Sequence, residues 1–222
     1  MEVTHIPLKF LFDANCYLIQ IETGYILIDT GIKNRRKQLE DAITDAGCKP
    51  GDLKLIIITH GHVDHVGNAA YLRDKYGAKI AMHSGDVKMV TGAGMFADAP
   101  PSLKIKLVGF FMNLTGLGDF ETFTPDILLE DNQSLQEYGL DAQVIHTPGH
   151  SKGSISIIMD SGELFSGDIF NGSVEGVTNL VDDQSMLDSS VDHLKTRDPE
   201  VFYPGHGNPF KGRPLTGGGG VA

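Results

Sequence analysis

Three histidines and an aspartate fall within six residues in T-H-G-H-V-D-H at 59–65. Imidazole nitrogens and carboxylate oxygens are the ligands that zinc, iron and manganese accept. His60 and His62, two apart on an extended turn, can converge on one ion. Asp64 and His65 lie where that turn enters a helix and can point at a second ion beside it. The zincin arrangement, with two histidines four apart on a helix and a Glu between them, is a different pattern. Packing alone does not account for the cluster, because burying four such groups unpaired would cost several kcal/mol.

Three further segments repeat one design. DAQVIHTPGH ends at His150, ELFSGD at Asp168 and VFYPGH at His206. In each, an apolar run stops and a Gly-flanked polar group follows. Ligands gathered at the ends of several strands are how an α/β scaffold assembles a site from distant segments. A carboxylate such as Asp168 can bridge two cations, which completes two sets of three protein ligands plus the bridge.

The elements that must position these residues are readable from apolar periodicity. CYLIQI at 16–21 and YILID at 25–29 form a hairpin around Glu22-Thr23-Gly24. Residues 35–47 carry Leu39, Ala42, Ile43 and Ala46 at helical spacing. LKLIII at 53–58 is the continuous apolar run of a strand covered on both faces. A helix over 64–77 and a strand at 79–82 follow, an alternation that argues for an α/β class. Later β runs are ILLE, SLQEY, DAQVIH, SISIIMD, ELFSGD and VFY at 201–203, with a helix around 184–195. The chain reads as one domain over 1–213, with a lid-like insertion at 91–123 and a flexible Gly-rich tail at 214–222.

Composition narrows the partners. The 222 residues are 41% hydrophobic and 21% charged, the profile of an ordinary globular chain, and the net charge is -11. From Leu107 to Leu194 the only basic residue is Lys152, against fifteen Asp and Glu. A polyanion needs Lys and Arg along its track, so nucleic acid is not the expected partner. No apolar run approaches the ~18 residues of a membrane span, and the first residues carry no signal-peptide pattern. Two cysteines, Cys16 and Cys48, are too few for a disulfide framework. A cytoplasmic protein acting on a small molecule, with no stable membrane insertion, is the expectation; homo-oligomerisation is compatible with it.

These residues resemble the metallo-β-lactamase superfamily. H-x-H-x-D-H is followed in order by TPGHSxGS, SGD and PGHG, and the match runs from about Cys16 to Phe210. The resemblance implies an α/β fold of the αββα kind, a four-layer sandwich of two mixed β-sheets packed face to face with helices outside. By position it implies that His60, His62 and His150 hold a first metal, that Asp64, His65 and His206 hold a second, and that Asp168 bridges them. Asp29, ending YILID, matches a family position that braces the histidine loop from behind. Two divalent ions ~3.5–4 Å apart clamp a water and lower its pKa from ~15.7 toward ~7, giving a hydroxide that attacks a carbonyl or phosphoryl group. Asp64 would also orient that nucleophile or pass its proton on, so Asp64 and Asp168 are the catalytic candidates. Zinc is the first choice, with iron and manganese suited to the same ligands.

Departures from better-defined branches narrow the substrate. Zinc β-lactamases place a Cys where this chain has Asp168. Glyoxalase II enzymes carry Gly-Cys-Gly-Arg after the bridging Asp and a helical C-terminal domain; here the segment is IFNGSVEGV, and sixteen residues follow His206. Acyl-homoserine lactonases have a Tyr just after the bridging Asp, where this chain has Phe170 and Asn171. The expected activity is therefore hydrolysis of a small ester, thioester or lactone. A mononuclear iron enzyme like the persulfide dioxygenases is the alternative, ahead of a phosphodiesterase or a non-catalytic binding module. Lys152, Asn171 and His83 are candidate substrate contacts, and Phe96, Phe110, Phe111 and Met112 a candidate apolar wall.

Overall fold

A computed structural model describes residues 2–9, 13–93, 118–171, 176–178 and 181–212. Strands β1 (Val3–Leu8), β2 (Ala14–Ile21) and β3 (Gly24–Ile28) pair antiparallel, and β4 (Leu53–Ile57), β5 (Lys79–His83) and β6 (Ile127–Leu129) continue in parallel to give a six-stranded mixed sheet in sequence order. A second sheet holds β7 (Ala142–His146), β8 (Ile155–Met159), β9 (Glu163–Gly167), β10 (Val201–Pro204) and β11 (Phe210–Lys211). Its order is β11-β10-β9-β8-β7, with β9 and β10 the parallel pair.

Successive strand residues point to opposite faces, and here both faces of each sheet are covered. Along β2, Cys16 and Leu18 join Leu39, Ile43 and Leu72 in an outer core. Their neighbours Tyr17, Ile19 and Ile21 face the other way, into a core shared with Val144, Ile157 and Phe165 of the second sheet. Beyond that sheet, Ile145, Leu164 and Phe202 pack beneath Leu187, Val191 and Leu194. The helices supplying the outer partners are α1 (Arg36–Asp45) and α3 (Ala69–Tyr76) on one side and α4 (Gln184–Thr196) on the other. Four layers, αββα, result. This double cover is why the run from Leu55 to Ile58 is apolar without a break, while Lys54 before it is exposed. Each fully buried Leu or Ile contributes about 1.5–3 kcal/mol.

Two of the expected elements take another form in the structure. The helix expected over 64–77 is split into α2 (Val63–Val66) and α3 at Gly67 and Asn68. The segment 30–32 crosses there: Thr30 N donates to His65 O at 2.7 Å, and Asn68 Nδ2 donates to Thr30 O at 2.7 Å and Ile32 O at 3.1 Å. A Cβ on Gly67 would lie 2.5 Å from Gly31 O and from Lys33 N, so only glycine admits the crossing. The strand expected at SLQEY is instead a single 3-10 turn, Gln136–Tyr138. Leu135 is buried there, Gly139 takes φ 82°, and the chain reverses into β7 before a ladder can form. Helix α4 starts as expected, with the Asp183 carboxylate accepting from Met186 N at 2.9 Å.

Most of the segment 91–123, with Phe96, Phe110, Phe111 and Met112, lies outside the described residues, as does 214–222. The far end of that segment is anchored. Phe123 is buried and donates its N–H to Val90 O, while Glu121 pairs with Lys33 at 3.2 Å and Arg36 at 2.7 Å. Among the described residues, no helix is long and apolar enough to cross a membrane.

Candidate metal centre

His60 and His62 follow β4, His150 follows β7, Asp168 follows β9, His206 follows β10, and Asp64 and His65 lie in α2. The fold brings all seven side chains together. His60 Nε2 lies 3.1 Å from His62 Nδ1, and His150 Nε2 lies 3.2 Å and 2.9 Å from those two nitrogens. Beside this trio, His206 Nε2 is 3.3 Å from Asp64 Oδ2, and His65 Nε2 is 3.9 Å from the same oxygen. Asp168 stands between the two groups. Its Oδ1 is 3.3 Å from His65 Nε2, and its Oδ2 is 3.1 Å from His206 Nε2, 3.5 Å from His150 Nε2 and 3.8 Å from His60 Nε2.

The far ring nitrogens decide where the lone pairs point. Asp29 accepts from Thr59 N at 2.8 Å, from Thr59 Oγ1 at 2.7 Å and from His65 Nδ1 at 2.8 Å. Thr59 has one hydroxyl proton and gives it to Asp29, so toward His60 Nδ1, 3.1 Å away, its oxygen accepts. His60 therefore carries its proton on Nδ1. His206 Nδ1 faces the carbonyl of Asp13 at 2.6 Å, which can only accept. In the neutral form, Nε2 of His60, His65 and His206 each turns an unprotonated lone pair into the centre.

Burial separates a floor from a mouth. His60, His65 and His150 are buried, and the Asp168 side chain is 6% exposed, whereas the side chains of Asp64 and His206 are 31% and 26% exposed. Burial, with His65 and His150 nearby, pushes the His60 pKa well below the ordinary histidine value, and burial with His150 pulls His62 down to about 4. For Asp64, the His65 and His206 charges overcome burial and bring the pKa to about 2. His206 goes the other way: burial opposes its charge, but hydrogen bonds to Asp168 and Asp64 raise it to about 10. Burial thus disfavours a proton on His60 and His62 and leaves their ring nitrogens free to donate to an ion.

Sequence reasoning passed over several supports. Thr59 orients His60 as described. Asn15 Nδ2 donates to Pro204 O at 2.9 Å and Gly207 O at 2.6 Å, tying the His206 turn to β2. Gly205 is required there, since a Cβ would lie 2.1 Å from Asp168 Oδ1. Of the candidate substrate contacts, Lys152 and Asn171 are exposed. His83 is half-buried, stacks on His146 with ring centres 4.0 Å apart, and belongs to none of the three convergent His/Asp groups.

The sequence profile of the metallo-beta-lactamase superfamily matches residues 10–206. The chain belongs to that superfamily. Among its relatives is the probable metallo-hydrolase YflN of Bacillus subtilis, 29% identical over 90% of this chain and 83% of that protein. The hydroxyacylglutathione hydrolase GloC of Haemophilus influenzae is 28% identical over 94% of this chain and 92% of its own length. The crystal structure of TTHA1623 in a di-iron-bound form superposes with a TM-score of 0.70 at 28% identity, over 92% of this chain and 93% of that one. As a member of this superfamily the chain is a metallo-hydrolase, and the family fold implies a dinuclear centre of divalent ions.

The residues present fit such a centre. His65 Nε2 and Asp168 Oδ1 are buried with no hydrogen-bond partner. Buried polar atoms are rarely left so, and these two face each other across 3.3 Å, where an ion would satisfy both. The three nitrogens of the trio stand 2.9–3.2 Å apart. Tetrahedral ligands on an ion with bonds of ~2.0–2.1 Å sit about 3.3 Å apart. Nitrogen and oxygen donors without sulfur suit zinc, iron and manganese alike.

Proposed function

We propose that this chain hydrolyses a small ester, thioester or lactone in the cytoplasm, using two divalent ions, with zinc the first assignment. His60, His62 and His150 would hold one ion, Asp64, His65 and His206 the other, and Asp168 would bridge them. The observation that carries this reading is the span of Asp168, whose two oxygens come within 3.1–3.8 Å of four histidine nitrogens from both groups. A carbonyl substrate is favoured over a polyanion by the scarcity of cations from 107 to 194. Similarity to GloC, named as a hydroxyacylglutathione hydrolase, supports a thioester within that class, since an acyl group on the glutathione sulfur is a thioester.

When bound, the ions supply Lewis acidity and bring the pKa of water from ~15.7 toward ~7. The chain's own residues do the rest. The buried floor of His60, His65, His150 and Asp168 fixes geometry and keeps bulk water from the rear of the site. Asp64, the most exposed of the acids, faces the mouth and accepts the proton of the attacking water, then returns it to the leaving oxygen or sulfur. Lys152, two residues after His150, and Asn171, three after Asp168, are assigned to the carboxylate or polar end of the substrate.

The test is acid release. Metal-loaded protein is offered thioesters, aliphatic esters, lactones and β-lactams with a pH indicator, since each hydrolysis liberates an acid. Turnover on an ester, thioester or lactone, abolished by a chelator, is expected. Silence across the panel would overturn the reading in favour of phosphodiester cleavage or iron-dependent sulfur oxidation.

A further inference from the structure

A carboxylate outside the seven convergent groups joins the two loops that carry the trio. Asp86 lies at the end of the turn Ser84–Asp86 that follows β5, and it is 1% exposed. No described Lys or Arg pairs with it. Its charge is met by three hydrogen bonds. Oδ2 accepts from Gly61 N at 2.8 Å and from Ser151 Oγ at 2.6 Å, and Oδ1 accepts from Gly153 N at 2.7 Å. Gly61 is the residue between His60 and His62, and Ser151 follows His150. One buried side chain therefore ties the backbone between His60 and His62 to the turn that follows His150.

The surroundings are built for this grip. Ser151 N donates to Ser154 Oγ at 3.1 Å and the two hydroxyls are 2.7 Å apart, closing the turn after His150 on itself. Three glycines let the segments approach. A Cβ on Gly85 would lie 2.8 Å from Gly153 Cα, one on Gly153 2.5 Å from Asp86 N, and one on Gly61 2.9 Å from the Met89 side chain. None of these contacts involves Asp64, His65 or His206. A buried carboxylate costs several kcal/mol in desolvation unless its bonds are kept, so the two loops are held in one relative position.

We propose that Asp86 is a positioning residue for the ion of the His60, His62 and His150 set, fixing the spacing of those nitrogens and hence the affinity of that ion alone. The inference rests on the proposed ligation by that trio. Asp86→Asn keeps size but must turn its NH₂ group toward either Gly153 N–H or Gly61 N–H, setting donor against donor. Ser151→Ala removes one bond and leaves the two backbone contacts.

The experiment is zinc titration of the full chain against a chromophoric chelator, resolving two binding steps, with cobalt absorption spectra as the second readout. For D86N we expect one step weakened about 10–100-fold, as for loss of other groups that orient metal ligands, the other step within about twofold, and an altered cobalt spectrum. S151A should weaken the same step by less, and serves if D86N does not fold. Equal weakening of both steps, in proportion to a fall in Tm of the metal-free protein, would show a merely structural role and overturn the proposal. So would two wild-type steps in D86N while His150→Ala loses one. Two wild-type steps in His150→Ala would overturn the trio's ligation itself, and the proposal with it.

Discussion

Asp168→Ala is expected to lower turnover by about 10³-fold or more and to leave fewer ions per chain than in the wild type. A metal ion at the reacting centre supplies several kcal/mol of charge stabilisation, every 1.36 kcal/mol is a factor of ten in rate, and Asp168 is the carboxylate proposed to hold both ions. Its loss removes the one negative group within 4 Å of four histidine nitrogens. Five imidazoles and Asp64 would remain, too little negative charge to hold two divalent ions side by side. Elemental analysis of the desalted variant, with the acid-release assay beside it, reads both effects. Full metal content with full activity would remove Asp168 from the bridging position.

Asp29→Asn should weaken binding of the ion proposed for Asp64, His65 and His206 by about 10–100-fold and lower stability by about 1–3 kcal/mol. Asp29 sits at φ 57°, in the left-handed region that Asn tolerates, so the substitution tests hydrogen bonding rather than backbone strain. With the Asn oxygen turned to Thr59 N–H, its NH₂ group takes the place of Oδ2 and points at His65 Nδ1. That forces the His65 proton onto Nε2, the nitrogen that must offer its lone pair. Thermal unfolding of the metal-free variant gives the stability change, and a metal titration gives the affinity change. Wild-type affinity for both ions would show that His65 is oriented by something other than Asp29.

The seven convergent side chains are legible in the sequence because each follows an apolar run closely, and strand ends on one scaffold are forced together by the sheets. The supports are less legible. Asp86 follows KIAM as H-S-G-D, the same strand-end signature as ELFSGD, yet its partners lie 25 and 65 residues away, at Gly61 and Ser151. The brace on His206 is a backbone carbonyl, Asp13 O, which no residue type announces. Strand β1 escapes the apolar pattern because it is an edge strand carrying His5 and Pro7, and a sheet tolerates Pro only at such an edge. The break between α2 and α3 is set by a crossing segment more than 30 residues earlier, whereas local periodicity runs straight through it.

Anomalous X-ray diffraction from crystals of the metal-loaded protein tests the central claim most directly. Two peaks are expected, roughly 3.5–4 Å apart, one among His60, His62 and His150, the other among Asp64, His65 and His206, with Asp168 in contact with both. A single peak in the trio, or none within reach of Asp168, would contradict the dinuclear account.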